Sequence, residues 1–279
     1  MRTSAKIALA RMVAGALRTA RAAVGLGMRA QVERDGLRWE LDLDEGIDLA
    51  IYLFGMFERS TVMACRRLVA PGSTVLDIGA NVGAHTLQLA RLVGENGVVR
   101  AYEPTAFAYE KLLRNMHLNP GLAPRISAEH ALLVAPGAPP PAALYSSWPL
   151  TAQENLHRDH RGKLMDIGAA RAVTLDEDVA GAALRKVDFI KIDVDGHECP
   201  VLRGGAEVLR AHRPVLVMEL APYLHIELGH RLEECFEPLL SLGYRFRDLD
   251  SGAEVTANLR ELDRLIGPGS SRNVVASRQ

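Results

Sequence analysis

Two clusters of residues have the types and the spacing to do chemistry. The first is Asp77-Ile78-Gly79-Ala80-Asn81-Val82-Gly83 with Glu103 about 20 residues past the second glycine. Glycines at such a junction let the backbone approach a ligand where a Cβ would clash, and a helix starting there offers unpaired N–H groups. An acid at that distance is where a dinucleotide-type unit meets ribose hydroxyls, so a nucleoside-like ligand is expected. The alternative is an ordinary strand, turn and helix with a solvated Glu at a strand end. The second cluster is Lys191, Asp193, Asp195, His197 and Glu198. Charged groups inside an apolar run are costly unless they are paired or serve a function. Asp193, Asp195 and His197 are therefore the expected catalytic residues, with His197 or Asp195 accepting a proton.

The elements that must position these groups can be read around them. Val75, Leu76 and Ile78 form a short apolar strand, Gly79 and Gly83 break it, and Thr86 to Leu92 has helical spacing. Val98 to Glu103 is a second strand ending in an acid, and Ala106 to Leu118 a helix with Phe107, Leu112, Leu113 and Met116 on one face. Val187 to Val194 is almost continuously apolar, as expected of a central parallel strand covered on both sides. Ligands of open parallel sheets bind outside the carboxyl ends of the strands, which brings both clusters to one edge.

A nicotinamide dinucleotide would call for three glycines spaced G-x-G-x-x-G. The chain has D-x-G-x-x-x-G instead, and an acid before the first glycine suits a ligand with an ammonium group. S-adenosylmethionine carries an α-amine at one end and ribose hydroxyls at the other. With Tyr102-Glu103-Pro104 and Ile190-Lys191-Ile192-Asp193-Val194-Asp195-Gly196-His197-Glu198, the first motif resembles the FkbM-type family of S-adenosylmethionine-dependent methyltransferases, from roughly Gly55 to Glu219. The resemblance implies an α/β, Rossmann-like, doubly wound sheet of seven strands, mostly parallel with the last strand antiparallel. It also implies O-methylation of a hydroxyl on a sugar, glycan or polyketide-like acceptor. Asp77, Gly79, Asn81, Gly83 and Glu103 are then the expected cofactor-binding residues. Gly55-Met56-Phe57-Glu58 matches an element that precedes the cofactor motif in the family, so Glu58 either faces the cofactor pocket or lies on a helix surface. The chain departs from the family after its third strand, Ile126 to Val134, where Leu133-Val134-Ala135-Pro136 stands in place of an Asp or Asn near the adenine.

The remaining stretches set bounds. A chain of 279 residues with 48% hydrophobic and 24% charged residues fits one α/β domain, and a net charge of −1 argues against a nucleic-acid partner. Residues 1–32 carry six basic residues and no acid, and are expected to be a helical segment ahead of a domain over 33–279, with a cap at 33–70 and a core at 71–279. That helix packs on the domain, lies on an anionic membrane surface, or serves as a targeting peptide. Gly36 to Leu43 alternates as a strand outside the main sheet, and Asp48 to Leu68 is helical with a break at Gly55, its Ile51, Tyr52, Phe54 and Phe57 toward the core. Residues 135–171 are Pro-rich and read as loop, with Tyr145 and Trp148 as acceptor-wall candidates and a basic run over 157–163. Cys65, Cys199 and Cys235 are odd in number and widely spaced, so neither a disulfide nor a zinc site is expected, and a cytoplasmic setting follows. His157 and His160 lack a completing ligand set, and although Asp193, Asp195 and Glu198 have the oxygen chemistry of a Mg²⁺ site, no metal is assigned. Two other functional classes stand beside the methyltransferase: a catalytically inactive S-adenosylmethionine-binding protein and a nicotinamide-dependent oxidoreductase.

Overall fold

The computed structural model describes residues 3–141, 143–146, 148–151, 156, 162–229, 232–255, 266–267 and 269–278. Its elements follow in chain order. Helix α1 (Thr3–Ala22) precedes a hairpin of β1 (Arg29–Arg34) and β2 (Leu37–Asp42), and then come α2 (Gly46–Phe54) and α3 (Arg59–Leu68). The core begins with β3 (Thr74–Ile78), α4 (Thr86–Val93), β4 (Val98–Tyr102), α5 (Ala106–His117) and β5 (Ile126–Glu129). Next are β6 (Ala131–Leu133), β7 (Ala143–Ser146), β8 (Lys163–Asp166), β9 (Arg171–Val173), α6 (Leu175–Gly181) and β10 (Phe189–Ile192). The chain closes with α7 (Glu198–Gly204), α8 (Ala206–His212), β11 (Val215–Leu220), α9 (Pro222–Glu227), α10 (Leu232–Ser241), β12 (Arg245–Asp248), β13 (Glu254–Val255) and β14 (Arg272–Ser277).

The main sheet runs β13-β12-β14-β11-β10-β3-β4-β5. From β11 to β5 its neighbours are parallel, while β14 is antiparallel to both β11 and β12. This is the expected α/β sheet, with eight strands in place of seven because the two-residue β13 pairs with the edge of β12. Strand order reverses between β3 and β10, whose ends therefore frame a crevice. The strands earn their central places by burial: Val75, Leu76, Ile78, Phe189, Ile190 and Ile192 are all at most 1% exposed. Two apolar layers, one on each face, cover the sheet.

Several expectations need correction. The N-terminal helix ends at Ala22, and Arg29–Arg34 is a strand of the hairpin outside the main sheet. The third strand does not run to Val134. It stops at Glu129, because the His130 ring stacks on Tyr109 and its Nε2 lies 3.0 Å from the Pro104 carbonyl, and β6 then pairs with β9. The Pro-rich stretch holds the β7–β8 hairpin. Phe54 and Phe107 are exposed by 74% and 41%, so neither is a core residue. Cys199 and Cys235 are joined as a disulfide, which the separation of 36 residues did not suggest because α7 and α10 are brought together only by the fold. The cysteines therefore no longer argue for a reducing compartment. No helix among the described residues is long and apolar enough to cross a membrane. His157 and His160 lie outside the described residues.

Candidate active site

The loop after β3 is wound into left-handed backbone at alternate residues, Gly79 (φ +80°), Asn81 (φ +49°) and Gly83 (φ +90°). Gly79 has no substitute. A Cβ there would lie 1.8 Å from the Asp193 carbonyl oxygen, so the β3 loop and the end of β10 touch backbone to backbone. Asn81 is among the side chains that tolerate this conformation. The loop is tied to the end of β4: the Gly79 and Ala80 N–H groups donate to the Tyr102 carbonyl, and the Asn81 N–H donates to Glu103 Oε2 at 2.9 Å. Glu103 Oε1 accepts from the N–H and hydroxyl of Thr105. Burial raises the Glu103 carboxyl above the usual carboxylate range in spite of these donors.

Gly79, Asn81, Glu103, Asp193, Asp195 and His197 share one cleft at the carboxyl ends of β3, β4 and β10. The cleft thus unites both sequence clusters. Leu132, Leu133, Leu144 and Val201 make its apolar side. This is the region where the chain lacks the Asp or Asn expected of the family, and an apolar slot stands there instead. Glu129 is turned to Arg100 at 2.8 Å and to the Ser127 hydroxyl, and is not among the residues of the cleft.

Asp77 is absent from the cleft lining. It is wholly buried, accepts from the Thr86 hydroxyl at 2.6 Å, and lies 3.6 Å from the Lys191 ammonium. The ammonium that this acid meets is thus the chain's own. Lys191 also donates to the Gly79 carbonyl at 3.1 Å and stands 3.5 Å from Asp193, so the charged pair inside β10 is indeed paired. Burial disfavours the charged Lys191, but Asp193, Asp77 and Glu58 outweigh it and raise its pKa.

Glu198 departs from the acid cluster. It faces His225 at 3.1 Å and accepts from the Val194 N–H, and His225 outweighs burial to lower its carboxyl pKa. Its place beside Asp193 and Asp195 is taken by Glu219 on β11, the carboxylate oxygens of the three lying within 4.8 Å of one another. Burial, then repulsion by neighbouring carboxylates with Asp193 foremost, pushes Asp195 and Glu219 well above the usual carboxylate range. His197 precedes α7, and burial lowers its imidazole below the ordinary value.

Two more cavities adjoin the cleft. A small one is lined by Gly79, Asn81, His85, Asp193, Phe57 and Trp148. Beyond Phe57 and Trp148 lies a larger cavity of about 430 Å³, walled by Ile7 and Ala10 of α1 and by Phe54, with Glu58 and Glu219 also on its lining. Phe54 is exposed because it faces this space. Glu58 sits in left-handed backbone (φ +44°) just before α3, and accepts from the Thr61 hydroxyl at 3.0 Å and from Asn273 Nδ2 at 3.2 Å. It therefore adjoins the larger cavity and not the cleft. His85 was missed by sequence reasoning, and nothing near it in sequence marks it, because its neighbours come from the segments around 57 and 148.

The family model for the methyltransferase FkbM domain matches residues 77–246 of this chain. The chain belongs to the FkbM methyltransferase family. Among curated relatives, Methyltransferase 1 of Beauveria bassiana is 30% identical over 148 residues, covering 47% of this chain and 58% of that protein. Hexuronic acid methyltransferase AglP of Haloferax volcanii is 26% identical over 141 residues, covering 50% and 53%. The chain thus spans about half the length of the curated relatives it matches. Among solved structures, an FkbM methyltransferase from Methylobacillus flagellatus is 15% identical with a TM-score of 0.44, over 79% of this chain and 46% of that one. A further likeness is to an rRNA-methylase-type protein from Clostridium thermocellum, 12% identical with a TM-score of 0.47, over 78% and 92%.

Proposed function

We propose that this FkbM-family chain binds S-adenosylmethionine and methylates a hydroxyl of a sugar, glycan or polyketide-like small molecule. The observation that carries the reading is the run of three adjoining spaces, a cleft with a ribose-type acid and an apolar side, a small junction and a large, mostly apolar cavity. The residues fit the cofactor. Glu103 offers oxygens for ribose hydroxyls at the cleft, and the leucine-rich side suits an adenine. Asp193 and Asp195 provide carboxyl oxygens in the cleft that an α-amine can donate to.

When bound, the cofactor supplies an electrophilic methyl carbon. The chain's contribution is alignment and the exclusion of water: the β3 loop and Glu103 orient one partner, while Phe57 and Trp148 wall the junction where the other must enter. The hexuronic acid named for the Haloferax relative supports a sugar as the acceptor. Calorimetry with S-adenosylhomocysteine tests the cofactor, with binding expected for the wild-type chain and loss expected for Glu103→Ala. Release of S-adenosylhomocysteine from S-adenosylmethionine, dependent on an added hydroxyl compound, tests the reaction. Binding without turnover on any hydroxyl would favour the inactive binding protein, and uptake of NAD in place of the sulfonium nucleoside would overturn the reading.

A further inference from the structure

His85 is a buried imidazole that makes no hydrogen bond, the Glu58 carboxylate standing just beyond reach. It is 4% exposed, and neither ring nitrogen has a hydrogen-bond partner. Buried polar groups are almost always paired, so an unpaired imidazole calls for a reason. Its position supplies one. The ring lines the junction, which shares Gly79, Asn81 and Asp193 with the cofactor cleft and Phe57 and Trp148 with the large cavity. Glu58 Oε2 stands 3.6 Å from His85 Nε2, and Thr61 and Asn273 fix that carboxylate.

We propose that His85 is the general base for methyl transfer, taking the proton of an acceptor hydroxyl at this junction, with Glu58 as its positioning residue. The inference rests on the methyltransferase reading above. In the step, the acceptor oxygen forms a bond to the methyl carbon as the methyl–sulfur bond breaks, its electron pair staying on sulfur. The O–H bond breaks and its proton passes to the imidazole. Glu58 Oε2 already accepts from the Thr61 hydroxyl and Asn273 Nδ2, which leaves Glu58 placed to hold the imidazole and not to meet the acceptor itself. His197 lies in the cleft and is not among the residues of the junction. The charged groups around the imidazole are Glu58 ahead of α3 and Lys191, Asp193 and Asp195 at the end of β10.

The test compares two probes that differ in their need for a base. 4-Methylumbelliferyl β-D-glucopyranoside offers only alcohols, whereas 4-methylumbelliferone is a phenol that ionises unaided at pH 9. His85→Ala is expected to lose about a hundredfold or more in turnover of the glucoside and little in turnover of the phenolate at pH 9. Calorimetry should show S-adenosylhomocysteine and glucoside bound as in the wild type. His85→Gln, closer in volume, repeats the test if the alanine variant does not fold. Glu58→Gln should slow the glucoside reaction and spare the phenolate reaction, with Glu58→Asp restoring part of the loss, because a carboxylate favours the charge that forms on the imidazole during transfer. A merely structural Glu58 would slow both probes alike. Equal losses on both probes, or none on the glucoside, would overturn the proposal, as would a wild-type chain that binds S-adenosylhomocysteine but methylates neither probe. Failure to bind S-adenosylhomocysteine would instead overturn the cofactor reading.

Discussion

At the scale of single residues, the tightest constraint on the site is the missing side chain of Gly79. An added methyl would meet the Asp193 carbonyl 1.8 Å away, and φ of +80° is unfavourable for any L side chain. Strain and overpacking of this kind sum to about 3 kcal/mol. Gly79→Ala should therefore lower the urea midpoint by a corresponding amount and abolish S-adenosylhomocysteine binding in calorimetry, because relief requires the β3 loop and β10 to part. Gly79 and Glu103 were legible because their roles depend on a local turn and on one strand–helix–strand spacing. His85 was not, since its significance depends on Glu58, Phe57 and Trp148, which only the tertiary fold brings near. Asp77 shows the opposite failure. Its place before the first glycine reads as that of an acid meeting the ammonium of a ligand, but sequence cannot show that Lys191, on the neighbouring strand and in register with it, meets that acid instead.

At the scale of elements, the strand that carries Glu103 is held in place from outside the site. Asp178 on α6 accepts from Arg100 Nε at 2.6 Å, from the Tyr102 hydroxyl at 2.8 Å and from Arg171, so one carboxylate clamps α6, β4 and β9 together. Burial would raise the Asp178 pKa, but the hydrogen bonds from Arg100, Arg171 and Tyr102 prevail and bring it from 3.8 to about 2. A depressed carboxyl stabilises the fold fully above its unfolded pKa and loses that contribution as pH falls through the folded value. The shift corresponds to about 2 kcal/mol, expected to vanish between pH 4 and pH 2 or so. In urea titrations Asp178→Asn should remove this segment of the acid dependence. A second tie joins the cap to the core: Lys111 of α5 pairs with Asp48 of α2, both at most 3% exposed. Lys111→Met would leave the buried Asp48 carboxylate without its counter-charge and should cost about 3–5 kcal/mol in chemical unfolding. The parallel strands were readable from their apolar runs. The break between β5 and β6 was not, because it follows from the contacts of His130 with Tyr109 and Pro104 and from no change in hydrophobic pattern.

At the scale of the whole molecule, the unsettled part is the basic N-terminal segment, for which sequence left packing, membrane and targeting roles open. Helix α1 is anchored to the domain by Ala14, which clusters with Leu49 and Leu150, and by the Arg18–Asp44 pair. Its Ile7 and Ala10 wall the cavity of about 430 Å³, while Leu9 and Met12 are exposed by 51% and 66%. One face of the helix thus lines the space assigned to the acceptor and another looks outward. Deleting residues 1–22 separates the two roles. If α1 is an acceptor wall, the shortened chain should bind S-adenosylhomocysteine as before, because the described lining of the cofactor cleft includes no residue of α1, yet bind 4-methylumbelliferyl β-D-glucopyranoside about tenfold or more weakly through lost apolar contact. If α1 instead serves an anionic membrane surface, the deletion should abolish co-sedimentation with vesicles rich in phosphatidylglycerol and leave glucoside affinity unchanged, since the basic and outward-facing groups would be the ones lost. Unchanged glucoside binding would remove α1 from the acceptor site and move the search for the acceptor to the side of the junction bounded by Trp148.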